Sequence, residues 1–126
     1  MQHDARRLTV AHDHLETAYE EVTRAVGLTE RSMSEQAARR ALTQLDMVLR
    51  KLQDEAVRGS HGSAAEVANR TLHHARHAWQ SLHDALNDWE YAARRSLDAA
   101  RSSIIAALET IRVAEQTRGD RDFAHS

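Results

Sequence analysis

The sequence contains no cysteine and no proline, and only four of its 126 residues are glycine. Without cysteine there are no disulfide bonds and no thiolate chemistry. Because proline and glycine are the residues that most often interrupt helices, their scarcity favours long helices. A chain without cysteine needs no oxidising compartment, so we expect a cytoplasmic protein.

Long apolar runs and clustered positive charge are also missing. No segment has the length and apolarity of a membrane span, and the first residues, MQHDARRL, lack the apolar stretch of a signal peptide. We therefore expect no contact with a membrane. The net charge is −2, and no part of the chain is strongly basic. Nucleic acid is a disfavoured partner for such a chain, since binding to it relies on clustered Lys and Arg.

The apolar residues that are present are mostly alanine and leucine, and they recur in steps of three and four. This spacing places apolar side chains on one side of a helix. A chain of 126 residues fits a single domain that can bury its own core, so we predict one all-α domain over 1–126. In the first segment the recurring positions are Leu8, Ala11, Leu15, Ala18, Val22 and Ala25.

Glycines and capping residues divide the chain into four segments. Gly27 can end the first helix, and either Thr29 or Ser32 can cap the second. The segment GSHGS (59–63) is the clearest loop, and Ser63 and Glu66 have the spacing of a capping box that opens the third helix. The predicted helices are 4–26, 30–58, 64–86 and 88–117.

The boundary between the third and fourth helices has two interpretations. Residues 64–118 contain no glycine and could form one helix, giving a long hairpin that must dimerise to bury its apolar face. Asn87 and Glu90, however, have capping-box spacing, and a helix of that length is rare in a globular domain. We favour the break, which predicts an antiparallel four-helix bundle. Residues 119–126 are expected to form a frayed polar tail.

Nine histidines are present, and His73, His74 and His77 lie within five residues of one another. On the third predicted helix they face away from the apolar positions, so we interpret them as solvated side chains with pKa values near 6.5. His73 and His77 also have the spacing of two metal ligands one helical turn apart, and His12 and Glu16 repeat it. A histidine-based metal-binding bundle using both pairs is thus one alternative, although we expect no metal and no cofactor.

Arginine precedes histidine at recurrent spacings of four or six intervening residues. The pairs are Arg70 and His77, Arg76 and His83, and Arg7 and His12. This spacing is similar to that of HEPN-class ribonucleases, small all-helical enzymes that use an Arg/His pair. The resemblance implies RNA cleavage by one of these pairs, which is the second alternative. With seventeen basic residues and nine histidines such spacings also arise by chance, and we expect no catalytic residue.

Aromatic residues make up only 4% of the chain, yet Trp79, Trp89 and Tyr91 are close together. Both tryptophans fit the apolar repeat and are assigned to the core, whereas Tyr91 falls outside it. Tyrosine and tryptophan beside arginines are typical of protein interfaces. The predicted partner interface comprises Trp89, Tyr91, Arg94, Arg95, Ile104 and Ile105.

The thin, alanine-rich core also favours association. Ile104 and Ile105 point to neighbouring sides of one helix, so the bundle has more apolar surface than such a core can hide. We therefore predict a non-catalytic helical bundle that acts through protein–protein interaction, in an accessory, regulatory, inhibitory or assembly role. A protein partner is implied, and we expect a homodimer.

Overall fold

The computed structural model describes the backbone of residues 2–58 and 63–124 and the side chains of residues 8–54 and 65–116. This part of the chain contains four helices and no strand, which confirms the all-α prediction. The predicted loop at 59–63 lies outside the described residues except for Ser63, the first residue of a helix. The helices are α1 (Gln2–Gly27), α2 (Arg31–Arg58), α3 (Ser63–Asn87) and α4 (Trp89–Ala124).

Side-chain contacts between α1 and α2 show that the two helices are antiparallel. His14 contacts Gln44 and Glu21 contacts Arg40, so residue numbers rise along α1 while they fall along α2. Each helix packs beside its neighbours in the chain, and α4 returns to contact α1. Among the described residues, the α3–α4 contact is the most extensive of the contacts between neighbouring helices. The predicted antiparallel four-helix bundle is thereby confirmed.

The chain passes from α3 to α4 through a single residue, Asp88. Its backbone N–H still donates to the carbonyl of Asp84, at 3.1 Å, and its own carbonyl accepts from Ala92, at 2.9 Å. Asp88 therefore closes the last turn of α3 and opens the first turn of α4. The interpretation with one continuous helix is wrong, and the break predicted near Asn87 is present.

The core is built mainly from alanine and leucine, as the periodicity predicted. All six predicted positions of α1 are buried, and so are Leu97, Ala100, Ile104, Ala107 and Ile111 of α4. Alanine at many buried positions lets the helix backbones approach closely. The remaining core residues come from α2 (Ala37, Ala38, Ala41, Leu45, Val48, Leu52) and α3 (Ala68, Leu72, Ala75, Ala78, Leu82, Ala85).

Both tryptophans were predicted to lie in the core, but neither side chain is fully buried. Trp79 and Trp89 are half-buried and pack against the edge of the core. On α3 the centre of the buried face is occupied by small residues such as Ala78 and Ala85, so the large indole lies beside it. An indole also carries an N–H that needs a partner, and the edge of the bundle supplies one for Trp79.

Helix α4 continues through Gly119 to Ala124, beyond the end predicted at 117. Most of the predicted tail at 119–126 is therefore helical backbone. A single glycine costs a helix only about 1 kcal/mol relative to alanine, which does not by itself end it. No helix in the described part of the chain combines the length and apolarity needed to cross a membrane.

Candidate protein-binding surface

Helix α4 has a solvent-exposed side that carries both apolar and charged residues. Tyr91, Asp98, Ile105 and Arg112 are successively seven residues apart, close to two helical turns, so they lie along one line on the helix. We call this side the outer face of α4. It comprises the half-buried Arg101 and eight exposed residues: Tyr91, Arg94, Arg95, Asp98, Ile105, Glu109, Arg112 and Val113.

Exposed large apolar side chains are concentrated on this face. Tyr91 is 88% exposed, Ile105 46% and Val113 49%. The other two in the described part of the chain, Met33 and Met47, lie on α2, at the opposite corner of the bundle. Apolar side chains surrounded by charged ones are typical of surfaces that bind other proteins.

The residues of the predicted interface do not all belong to this face. Tyr91, Arg94, Arg95 and Ile105 are exposed on it. Trp89 is half-buried against the core. Ile104 is 0% exposed and belongs to the core, because it points to the side of α4 that packs on the bundle.

Several residues of this face were not predicted from the sequence. Glu109, Arg112 and Val113 are exposed four to eight residues beyond Ile105. Their spacing from Ile105 places them on the same side of α4, so the sequence could have been used to predict them. Asp98 and Arg101 could have been found in the same way.

An open groove of about 180 Å³ lies beside the outer face, between α1 and α4. Tyr19, Ile105 and Leu108 form its apolar part. Polar side chains line it from both helices, with His12 and Glu16 on α1 and Glu109 and Arg112 on α4.

The polar side chains of the groove are paired within each helix. The Nδ1 of His12 lies 3.1 Å from a carboxylate oxygen of Glu16. Arg112 donates two hydrogen bonds to Glu109, one of them from Nε over 3.1 Å. These hydrogen bonds hold the pKa of Glu109 below its usual range and raise the pKa of Arg112. Glu109 and Arg112 are thus both charged at neutral pH and oriented toward each other.

The cluster of His73, His74 and His77 lies on the solvent side of α3, but it is not uniformly solvated. His73 and His77 are exposed, and their rings meet edge to face at 4.7 Å. His74 is half-buried, and the loss of solvent lowers its pKa, with the positive charges of its two neighbours acting in the same direction. The expectation of a pKa near 6.5 is therefore wrong for His74.

The two histidine-containing pairs considered as metal ligands are not brought together. His12 and Glu16 lie on α1, whereas His73 and His77 lie on α3, at the opposite corner of the bundle. The side chains that the structure describes include no group of three or more His, Cys, Asp or Glu placed to hold a metal ion. The four-ligand site that would join both pairs does not form in this fold.

The Arg/His pairs lie on different parts of the molecule. Arg70 and His77 are both exposed on α3, two helical turns apart. His83 is held in place, since it stacks on Trp79 at 4.9 Å and the Nδ2 of Asn87 donates to its Nδ1 over 3.2 Å. The side chain of Arg7 lies outside the described residues. Neither pair on α3 contacts the groove between α1 and α4.

No family model, no curated protein and no solved structure matches this chain.

Proposed function

We propose that this protein is a non-catalytic helical bundle that acts by binding another protein through the outer face of α4. One observation carries the proposal. Three of the five exposed large apolar side chains among the described residues share that face with four arginines. Arginine and tyrosine are favoured at the centres of protein interfaces. The biological role would be accessory, regulatory, inhibitory or assembly-related.

We also propose that the protein associates with itself and that it acts in the cytoplasm. The bundle core is rich in alanine, and Tyr91, Ile105 and Val113 remain exposed outside it. Covering these side chains would remove apolar surface from water, which favours association. The cytoplasmic location rests on the lack of cysteine.

Binding by a tagged copy of the full chain in extracts of its native cells tests the function. We expect the chain to retain a defined protein partner, and the variant Ile105→Arg to lose it. The matched control is Met47→Arg, which places the same charge at a similarly exposed apolar position on α2. Equal retention by both variants would reject the outer face of α4 as the binding surface.

The same purified protein can be used to test the two alternative functions. A HEPN-like ribonuclease would cleave RNA and lose that activity in His77→Ala or His83→Ala. A histidine-based metal protein would keep zinc through dialysis against a mild chelator and lose it in the variant His73→Gln/His77→Gln. Either result would replace our proposal with the corresponding function.

A further inference from the structure

We propose that the outer face of α4 binds a second copy of this chain, with the two α4 helices antiparallel around a two-fold axis at Ile105. The inference rests on the proposed function and names the partner of that surface. Helix α4 has 36 residues and is thus about 54 Å long, which provides a long contact for a helix pair. The arrangement places Ile105 of one copy against Ile105 of the other.

The charges of α4 are self-complementary about Ile105. In an antiparallel pair centred on this residue, a residue a given number of positions before Ile105 in one copy lies beside the residue the same number of positions after Ile105 in the other copy. The residues four and seven positions before Ile105 then meet residues of opposite charge. These pairs are Arg101 with the partner's Glu109, and Asp98 with the partner's Arg112. The two-fold axis repeats each pair, giving four in the dimer.

Neighbouring registers lack this complementarity. Moving the axis one heptad back to Asp98 sets that carboxylate against itself and Arg95 against the partner's Arg101. Moving it one heptad forward sets Arg112 against itself. A parallel pair in register would set every charge against its like. Opposite charges favour a register and like charges oppose one, so the charge pattern selects the antiparallel pair centred on Ile105.

The side chains needed for these pairs are available. Among the described residues, neither Asp98 nor Arg101 forms an ion pair. Glu109 and Arg112 are already joined, and both are about half exposed. An Arg101 and an Asp98 arriving from the second copy would extend this pair into a four-membered network of alternating charge. The apolar groove beside Ile105 lies next to the same contact.

Single cysteines can test the geometry, because the natural chain contains none. The variant Ile105→Cys places a thiol on the two-fold axis, so we expect a short bismaleimide to link two copies. Asp98→Cys should not link to itself, since the two copies of position 98 would be about 21 Å apart along the helices. A mixture of Asp98→Cys and Arg112→Cys chains should link. Met47→Cys on α2 is the matched exposed control and should not link.

Charge reversal tests the same register without a cross-linker. We expect sedimentation equilibrium of the unmodified chain to give twice the 14.2 kDa of one copy. Asp98→Arg should raise the dissociation constant roughly tenfold, because two attractive pairs become repulsive. The double variant Asp98→Arg/Arg112→Asp should restore it to within about threefold. Arg50→Asp, an exposed reversal on α2, is the control and should leave the dissociation constant unchanged.

The outcomes separate this inference from the proposed function. Cross-linking at Ile105 together with rescue by the double variant supports both. A dimer that links Asp98→Cys to itself, or that ignores the charge reversals, overturns the arrangement while self-association stands. A mass of 14.2 kDa at micromolar concentration overturns the dimer. In that case, loss of a different protein partner in Ile105→Arg would still support the binding function.

Discussion

The indole N–H of Trp79 on α3 donates a hydrogen bond of 2.8 Å to the Oδ1 of Asp46 on α2. His83 stacks on the same indole ring, with an angle of 12° between the planes. The tryptophan is therefore fixed on one edge by a carboxylate and on one face by an imidazole. The contact joins two antiparallel helices at the edge of the core, where an apolar ring and its polar N–H can both be accommodated.

Replacing Asp46 with alanine is expected to lower the free energy of unfolding by roughly 1 kcal/mol, because the indole N–H loses its acceptor. Asp46→Asn keeps an acceptor oxygen and should lose about half as much. Urea unfolding followed by tryptophan fluorescence measures both. Asp54→Ala, which removes another exposed carboxylate of α2, is the control. If Asp46→Ala is no less stable than Asp54→Ala, the hydrogen bond contributes nothing.

Ser34 connects the first two helices through a hydrogen bond that no sequence pattern predicted. Its buried Oγ donates to the carbonyl of Ala25, at 2.5 Å, which is one of the last carbonyls of α1 and lacks a partner within that helix. Ser34→Ala should therefore cost roughly 1–3 kcal/mol of unfolding free energy. The exposed Ser32→Ala, two residues earlier, should stay within about 0.5 kcal/mol of the unmodified protein in the same denaturation experiment. Equal effects would show that the buried bond is unimportant.

Ile104 and Ile105 are adjacent in the chain but are expected to respond differently to truncation. Ile104 is fully buried, so Ile104→Ala should cost about 2–5 kcal/mol at any protein concentration. Ile105→Ala should cost less in dilute protein, and its effect should grow with concentration if association covers the side chain. Urea denaturation over a hundredfold range of protein concentration compares them. If both variants lost a similar free energy of unfolding at every protein concentration, the proposed difference between a buried Ile104 and an associating Ile105 would be wrong.

The lowered pKa of His74 predicts that the protein becomes less stable in mild acid. Its pKa in the folded state lies below the usual 6.5, so the unfolded chain binds the proton more readily. Stability from this group is complete above about pH 6.5 and is lost as the pH falls through that value toward the lowered pKa. NMR titration should show His74 titrating below 6.5, with its pKa rising toward the usual value in the variant His73→Gln/His77→Gln.

Measuring the free energy of unfolding at two pH values tests whether His74 causes the loss of stability in acid. Between about pH 7.5 and about pH 5.5, His74→Gln should lose less stability than the unmodified protein, because glutamine does not titrate. Near neutral pH, glutamine at all three positions of the cluster should change stability by only a few tenths of a kcal/mol. A loss above about 2 kcal/mol there would mean that the cluster is not a surface feature.

Helix number and the buried residues of α1 could be predicted because both follow from local rules. Residues from Leu8 to Ala25 repeat at helical spacing, and all of the predicted positions are buried. The two tryptophans could not be placed in this way. Periodicity locates one side of a helix, but the position of an indole within that side depends on space and on a hydrogen-bond partner from another helix. The Asp46 contact of Trp79 is of this kind.

The candidate surface was predicted only in part for the same reason. Tyr91 falls outside the apolar repeat and is exposed, as the pattern indicated. Ile104 and Ile105 are chemically identical neighbours, and only the packing of α4 on the bundle decides which of them is buried. The groove between α1 and α4 joins residues such as Tyr19 and Leu108, which are far apart in the chain and have no signal in common.

The single-residue connection at Asp88 has a consequence for the rate of folding. Helices α3 and α4 make the most extensive contact in the bundle, and almost no chain has to be closed into a loop before they meet. Contacts between segments close in sequence form fastest, since little chain entropy is lost beforehand. We therefore expect the α3–α4 hairpin to form early in folding, and the docking of α1 against α4, which are far apart in the chain, to follow more slowly.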